Sequence, residues 1–276
     1  MLIGARTHDF GNQEELSFGE KLALIKRCGY ETIQLAPAKA LPEIKDIHSV
    51  SPRHIEAIRA DLEKAALPVS VLGCYIEPSL SDQQARLRNV ETFCQYLRYA
   101  KALGTQIVGT ETTHFPMPDN QQREVAYRNL KDSVKRMAEV AEKEDVYIGL
   151  EPVAEHTMND PEITRRLLDE VQSQKVRVIL DPANLILAEQ VDRQEEIFQQ
   201  AQAFLGEQVV ALHVKNFVVK DGEKQMVPLQ EGVIDFTTIG AWVKDQKLDL
   251  PILRENSLRA SDRADIALMK QLFTET

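Results

Sequence analysis

Eight times along this chain a short apolar run is followed by a segment with helical spacing, and that alternation limits the fold more than any other feature. The runs are Leu2–Ala5, Thr32–Ala36, Val69–Ile76, Ile107–Thr110, Tyr147–Glu151, Val176–Asp181, Val209–Lys215 and Leu250–Glu255. Short apolar runs bounded by Gly, Pro or polar residues read as strands. The segments between them carry helix signals. Gly29 stops the pattern that begins at Leu16, and Ser51-Pro52 supplies an N-cap with proline in the first turn before the stretch to Ala65. Ser81-Asp82 opens a long amphipathic stretch to Leu103, closed by Gly104. Asn120–Lys143 follows, with Val125, Leu130, Val134, Met137 and Val140 on one side. Pro161–Val171, Ile197–Leu205, Asp235–Gln246 and Ala264–Phe273 complete the set.

Strand–helix units of roughly 30–35 residues match the pace of a closed (βα)₈ barrel, which forms one domain of about 250 residues. The expectation is an α/β protein with a single barrel domain over residues 1–276, since no linker or composition shift divides the chain. An open doubly wound sheet also alternates strands with helices. The repeat count, and the lack of a glycine-rich phosphate turn after the first strand, favour the barrel. Two segments fall outside the scheme. Ala38–Val50 reads as an irregular loop with room for one helical turn, and Lys220–Gly232 reads as a polar excursion.

Thirty-three basic against 43 acidic residues give a net charge of −10, which disfavours a nucleic-acid partner. The three cysteines, Cys28, Cys74 and Cys94, form no CxxC pair and read as reduced thiols, with Cys28 and Cys74 in apolar, core-like surroundings. The first residues lack a basic stretch followed by an apolar one, and no apolar run approaches the eighteen or so residues of a membrane span. The expectation is a cytoplasmic protein with no membrane or nucleic-acid partner.

Four of the runs deliver a chemically active side chain near the C-terminal end: Glu151, Asp181, His213 and Glu255. Strand side chains alternate faces. Each of the four therefore shares a face with a small or apolar residue two places back, namely Gly149, Ile179, Ala211 and Leu253. All four then point into the barrel mouth, where three carboxylates repel one another unless a positive charge lies between them. One divalent cation answers that: Mn²⁺, Mg²⁺ or Co²⁺ suits oxygen-rich ligation with one imidazole, and Zn²⁺ is admissible. The competing structural account makes each tip a cap for a neighbouring loop. Lys215 lies on the same face as His213, able to neutralise an oxyanion, hold a substrate carboxylate or pair with one of the acids. His8 and His114 sit at the tips of the first and fourth strands, Glu111 is beside the latter, and His156 follows the fifth. All four are candidates to line the mouth and touch substrate, against the plainer reading of surface-loop residues. His48 and His54 flank a helix start and read as structural, and Trp242 as core or interface.

The motifs Gly149-Leu150-Glu151, Asp181-Pro182-Ala183-Asn184, His213-Val214-Lys215-Asn216, Glu231-Gly232-Val233-Ile234-Asp235-Phe236 and Arg254-Glu255 resemble, in order and spacing, those of the xylose isomerase-like TIM barrels. That superfamily contains sugar isomerases and epimerases, and the resemblance covers nearly the whole chain in element order. It implies that Glu151, Asp181, His213 and Glu255 bind the divalent metal. It implies too that Glu151 and Glu255 act as the acid–base pair moving a proton next to the carbonyl of a carbohydrate or polyol. Asn184 stands where sugar epimerases often have a substrate-contacting His. Asn216, Thr157 and Val219 replace an Asp, a substrate-binding Glu and an Arg of the ketose 3-epimerases. The metal set is kept while the ketohexose contacts are not, which leaves room for a dehydratase acting on an inosose, sugar acid or keto-sugar. Endonuclease IV-like phosphoesterases of the same superfamily need more histidine ligands than this acidic chain offers among its six. A non-catalytic sugar-binding barrel has no use for paired glutamates. Barrels of this superfamily often form dimers or tetramers, so a homo-oligomer is compatible with the resemblance.

Overall fold

The computed structural model of the chain describes residues 1–11, 16–44, 46–115, 119–246 and 248–274. Eight parallel strands close into a barrel: β1 (Ile3–Arg6), β2 (Thr32–Leu35), β3 (Val69–Gly73), β4 (Ile107–Glu111), β5 (Tyr147–Glu151), β6 (Val176–Leu180), β7 (Val209–Val214) and β10 (Ile252–Arg254). Around the barrel they follow the order β1-β10-β7-β6-β5-β4-β3-β2, so the chain winds once and the last barrel strand pairs with the first. Strands β8 (Asn216–Lys220) and β9 (Glu223–Val227) stand apart as an antiparallel hairpin.

The helices are α1 (Phe18–Cys28), the four-residue α2 (Pro37–Ala40), α3 (Pro52–Ala65), α4 (Gln83–Ala100), α5 (Asn120–Glu144), α6 (Pro161–Val171), α7 (Gln194–Leu205), α8 (Thr237–Asp245) and α9 (Asp262–Phe273). Their starts follow local chemistry. Ser17 and Glu20 form a capping box on α1, and Asp82, Asp119 and Asp160 accept backbone N–H groups at the starts of α4, α5 and α6. Each helix lays an apolar stripe on the sheet, such as Ile55, Ile58 and Leu62 of α3, or Leu130, Val134 and Met137 of α5. Val125 departs from the expected α5 stripe. It is exposed, and Ala126 and Tyr127 take the buried positions at that end of the helix. Cys74 and Cys94 are buried, but Cys28 is only partly covered at the end of α1.

Inside the barrel Val71, Ile179, Ala211 and Leu253 form a separate buried cluster, with Ile107 packed against it. Three of these are the residues two places before Asp181, His213 and Glu255, so the alternation that fills the interior also aims those tips into the mouth. Gly149 fits the same layer by yielding its place: an added Cβ would lie 2.7 Å from Ile179 Cδ1.

The polar excursion after β7 is largely the β8–β9 hairpin. Asp221 and Gly222 both have positive φ, 55° and 82°, as a two-residue turn requires for strands of natural twist. Asn216 ties its base. The side-chain amide donates to the Leu229 and Ile234 carbonyls, and its oxygen accepts from the Phe217 and Ile234 N–H groups.

Candidate metal centre and active site

Glu151, Asp181, His213 and Glu255 come together at the C-terminal mouth, each offering a ligand atom within 4.8 Å of the others. They rise from β5, β6, β7 and β10, four neighbouring strands, so they form an arc with the two glutamates at its ends. All four are buried. Asp181 is fixed by its own turn: Oδ1 accepts from the backbone N–H of Ala183 (2.9 Å) and of Asn184 (3.3 Å). Asn184 also donates its side-chain amide to Glu151 Oε1. His213 Nδ1 lies 2.9 Å from Glu151 Oε2 and 3.2 Å from Glu255 Oε1, while its buried Nε2 has no partner among the described residues. Glu255 is carried one residue past β10 by its backbone N–H, which donates to the Val214 carbonyl. The preceding Arg254 is fully buried and paired through Nε with Asp265 Oδ2 at 2.9 Å, anchoring that strand end to α9.

Two cations brace the acids. Lys215 Nζ lies 3.0 Å from Asp181 Oδ2 and 2.8 Å from Glu255 Oε2, so the pairing alternative for this lysine is realised twice. Arg6, at the tip of β1, reaches Glu255 Oε1 at 3.2 Å through Nη1 and grips Asp9 through Nε and Nη2. Burial alone would raise the Glu255 carboxyl. Arg6, then Lys215 and His213, outweigh it and hold Glu255 well below the usual carboxylate range. For Asp181 burial wins over Lys215, and its pKa is raised. Burial lowers the His213 pKa, but Glu151 and Glu255 overcome it and bring the imidazole up to about 9.

Such a donor set fits a divalent cation. Three carboxylates and an imidazole with ligand atoms within 4.8 Å of one another make an oxygen-rich set that Mg²⁺, Mn²⁺ or Zn²⁺ accepts. An imidazolium and an ammonium supply the positive charge these acids otherwise need. The arrangement can also exchange protons, because Glu151 and Glu255 approach one central space from two ends of the arc.

The remaining candidates spread around the mouth. Glu111 pairs in register with Glu151 across β4 and β5 and lies 3.8 Å from His156 Nε2. Burial, then Glu151 and Glu255, raise its carboxyl to about 7. His156 stacks edge-on with His114 at 5.6 Å, but His114 is exposed at the rim. His8 packs edge-on to Tyr75 at 6.3 Å on the opposite wall. His48 and His54 prove structural: His48 Nδ1 meets the Thr92 hydroxyl, and His54 completes the cap of α3. Trp242 is partly buried against the core.

Sequence reasoning missed Arg6, Lys39 and Tyr75. Arg6 was accessible to the same strand-tip logic applied to the first strand. Tyr75 lay inside the third apolar run as read, two residues beyond the end of β3, and Lys39 sat in the segment read as an irregular loop; neither carried a signal of its own.

The profile of the xylose isomerase-like TIM barrel family matches residues 22–271. No curated protein sequence matches the chain. Among solved structures, the chain is similar to a 3-keto-D-glucoside 4-epimerase from E. coli, with 16% identity, a TM-score of 0.76, and 98% of this chain and 99% of that one covered. It is similar to a probable 3-DHS dehydratase from Bacillus anthracis, with 19% identity, a TM-score of 0.72, and both chains covered in full, 100% each. It is also similar to the IolI protein with a bound zinc atom, with 16% identity, a TM-score of 0.74, and 99% and 96% covered. At these identities the structures speak to fold alone. The profile match spans most of the sequence, and the chain belongs to the xylose isomerase-like TIM barrel family.

Proposed function

We propose that this protein is a divalent-metal-dependent isomerase or epimerase of a sugar or sugar-like polyol, moving a proton on a carbon next to a carbonyl. The observation that carries the reading is the buried arc of Glu151, Asp181, His213 and Glu255, with a glutamate at each end. A cation held by these four residues supplies Lewis-acid polarisation of the substrate carbonyl and neighbouring hydroxyl. The chain's own residues do the rest. Among the described residues Glu151 is held by the Asn184 amide and His213, with no lysine or arginine within ion-pair distance, so it is the better base for removing the proton. Glu255 faces the same space from the far end of the arc and returns a proton to the enediolate there, drawing it from the Lys215 ammonium that donates to its Oε2. Arg6 and Lys215 hold Glu255 in place, and Lys215 is close enough to that space to neutralise developing negative charge on the substrate oxygen. Asn184, His156 and Glu111 contact substrate hydroxyls from the β4–β6 side, and His8 faces the substrate from the opposite wall.

A second reading, dehydration of a keto-sugar, is favoured by Glu111. Its carboxyl, raised to about 7 and facing His156, is a third proton-exchanging group at the mouth, suited to protonating a leaving hydroxyl.

The test is elemental analysis of purified wild type and of the Glu151→Gln, Asp181→Asn double variant. About one Mn, Mg, Co or Zn per chain, lost in the double variant, is the expected result. Keto-sugars and cyclitols are then screened in heavy water. Deuterium gained at a carbon beside the carbonyl supports isomerisation or epimerisation, and loss of water supports the dehydratase. Absence of metal even after soaking overturns the proposal.

A further inference from the structure

Among the described residues, the basic side chains around the four tips have acceptors. Arg6 is matched by Asp9 and Glu255, Lys215 by Asp181 and Glu255, and Lys224 of the hairpin by the Ala183 carbonyl. Lys39 is different. Its ammonium lies 3.7 Å from the centroid of the Tyr75 ring, and among the described residues no carboxylate stands within ion-pair distance of it. The position lies at the mouth end of the barrel, because α2 follows β2 and the Tyr75 ring that Lys39 covers also meets His8. Lys39 is exposed at the rim of the mouth, so its ammonium is open to an incoming ligand, and the part of its surroundings that is covered, then Arg6, lower its pKa.

A second group at the same ring is also unpartnered. His8 packs edge-on to Tyr75, and its buried Nδ1 has no hydrogen-bond partner among the described residues. Burial, then Arg6 and Lys39, bring its pKa down to about 3, so it is a neutral imidazole with one N–H to give. Lys39 follows β2, His8 follows β1 and Tyr75 follows β3. In the barrel order these strands lie across the mouth from β6 and β7, which carry Asp181 and His213. A sugar bridging the mouth, with its reacting carbonyl at the four-residue arc, brings its far end to Lys39 and His8.

We propose that Lys39 and His8 form a binding subsite for a carboxylate group of the substrate, which is therefore a sugar acid. The proposal rests on the metal-centred reading above and names the class of molecule that site takes. One ammonium and one neutral N–H match a planar monoanion. A phosphate dianion has three oxygens to satisfy and calls for a richer set of donors.

The test uses the full-length, metal-loaded protein and three ligands that differ only at carbon six: D-glucuronate, D-glucose 6-phosphate and D-glucose. Calorimetric titration of wild type is expected to give about tenfold tighter binding of the uronate than of glucose, the scale of a partly exposed charge-assisted contact. Lys39→Met is expected to erase the preference without changing glucose binding. Lys39→Arg should keep it, and His8→Phe should reduce it. A uronate that binds no better than glucose, or not at all, overturns the subsite, as does a preference that survives in Lys39→Met. Tighter binding of the phosphate than of the uronate overturns the assignment to a carboxylate. Metal content of the same samples separates the two levels. Metal bound without acid preference removes the subsite alone, and absence of metal removes the reading beneath it.

Discussion

Replacing Gly149 with alanine adds one methyl group where the barrel interior has no room for it. A Cβ there would lie 2.7 Å from both Cδ1 and Cγ1 of Ile179, and 3.2 Å from Cγ2 of Ile107. Ile179 cannot move aside, since it is 1% exposed and Cγ1 sits next to its own backbone. Overpacking of this kind typically costs about 1–3 kcal/mol, and two contacts this short place the expectation at about 2–3 kcal/mol. In a chain of this length that is a fall of roughly 3–5 °C in Tm. The damage also reaches the mouth. Gly149 is two residues before Glu151, and Ile179 is two before Asp181, so parting β5 from β6 displaces two of the four acidic and imidazole tips. Metal affinity should fall about tenfold or more, as it does when supporting groups around a metal site are disturbed. Urea unfolding of the metal-free protein measures the first effect and calorimetric metal titration the second. Ile179→Ala alone leaves a cavity and costs about 2–5 kcal/mol. The double variant should cost less than the sum of the two, by about 1–2 kcal/mol, because each change relieves the other. A Gly149→Ala protein within about 0.5 kcal/mol of wild type, additive with Ile179→Ala and unchanged in metal affinity, would refute this account of the interior layer.

Further outcomes follow from the site and from the hairpin beside it. His213 is raised to about 9 in the metal-free protein against an ordinary 6.5, so its contribution to stability is fully present below pH 6.5 and lost as pH climbs through 9; unfolding free energies across that window should decline in wild type and stay flatter in His213→Gln. Metal binding at pH 7 should release that proton, seen as a dependence of the calorimetric heat on buffer ionisation enthalpy. Lys215→Met removes an ammonium that competes for Asp181 and Glu255, so metal should bind about tenfold tighter or more, while the metal-free fold loses about 3 kcal/mol by denaturant titration. Asn216→Asp loses the two donor bonds to Leu229 and Ile234 and buries a charge in their place, which should cost about 3 kcal/mol and expose the β8–β9 hairpin to limited proteolysis.

Most of the barrel was legible because its signals are local. Apolar runs with alternating faces, Ser or Asp at helix starts and Gly at helix ends each act over a few residues, and they placed the barrel strands and the main helices. The hairpin escaped for a physical reason. Its turn carried a clear Asp221-Gly222 signal, but β9, Glu223–Val227, alternates exposed and partly covered residues and lacks the apolar face that marks a strand. Its backbone bonds to β8, rather than burial, make it a strand, and those pairings are invisible to a hydropathy pattern.

The candidate site divides along the same line. The four tips could be found because each ends an apolar run, and the rule that fills the barrel interior also aims the tips. What could not be read is the cation framework around them. Arg6 meets Glu255 because β1 pairs with β10, a closure joining residues nearly the whole chain apart. Lys39 comes to Tyr75 because β2 and β3 are neighbours and the short α2 directly follows β2. The acids can therefore be assigned strand by strand, whereas the charges that tune them depend on which strands become neighbours. That difference bears on function: under the proposed reading the acids hold the metal and move the proton, whereas Arg6, Lys39 and His8 are where this chain would select its own substrate.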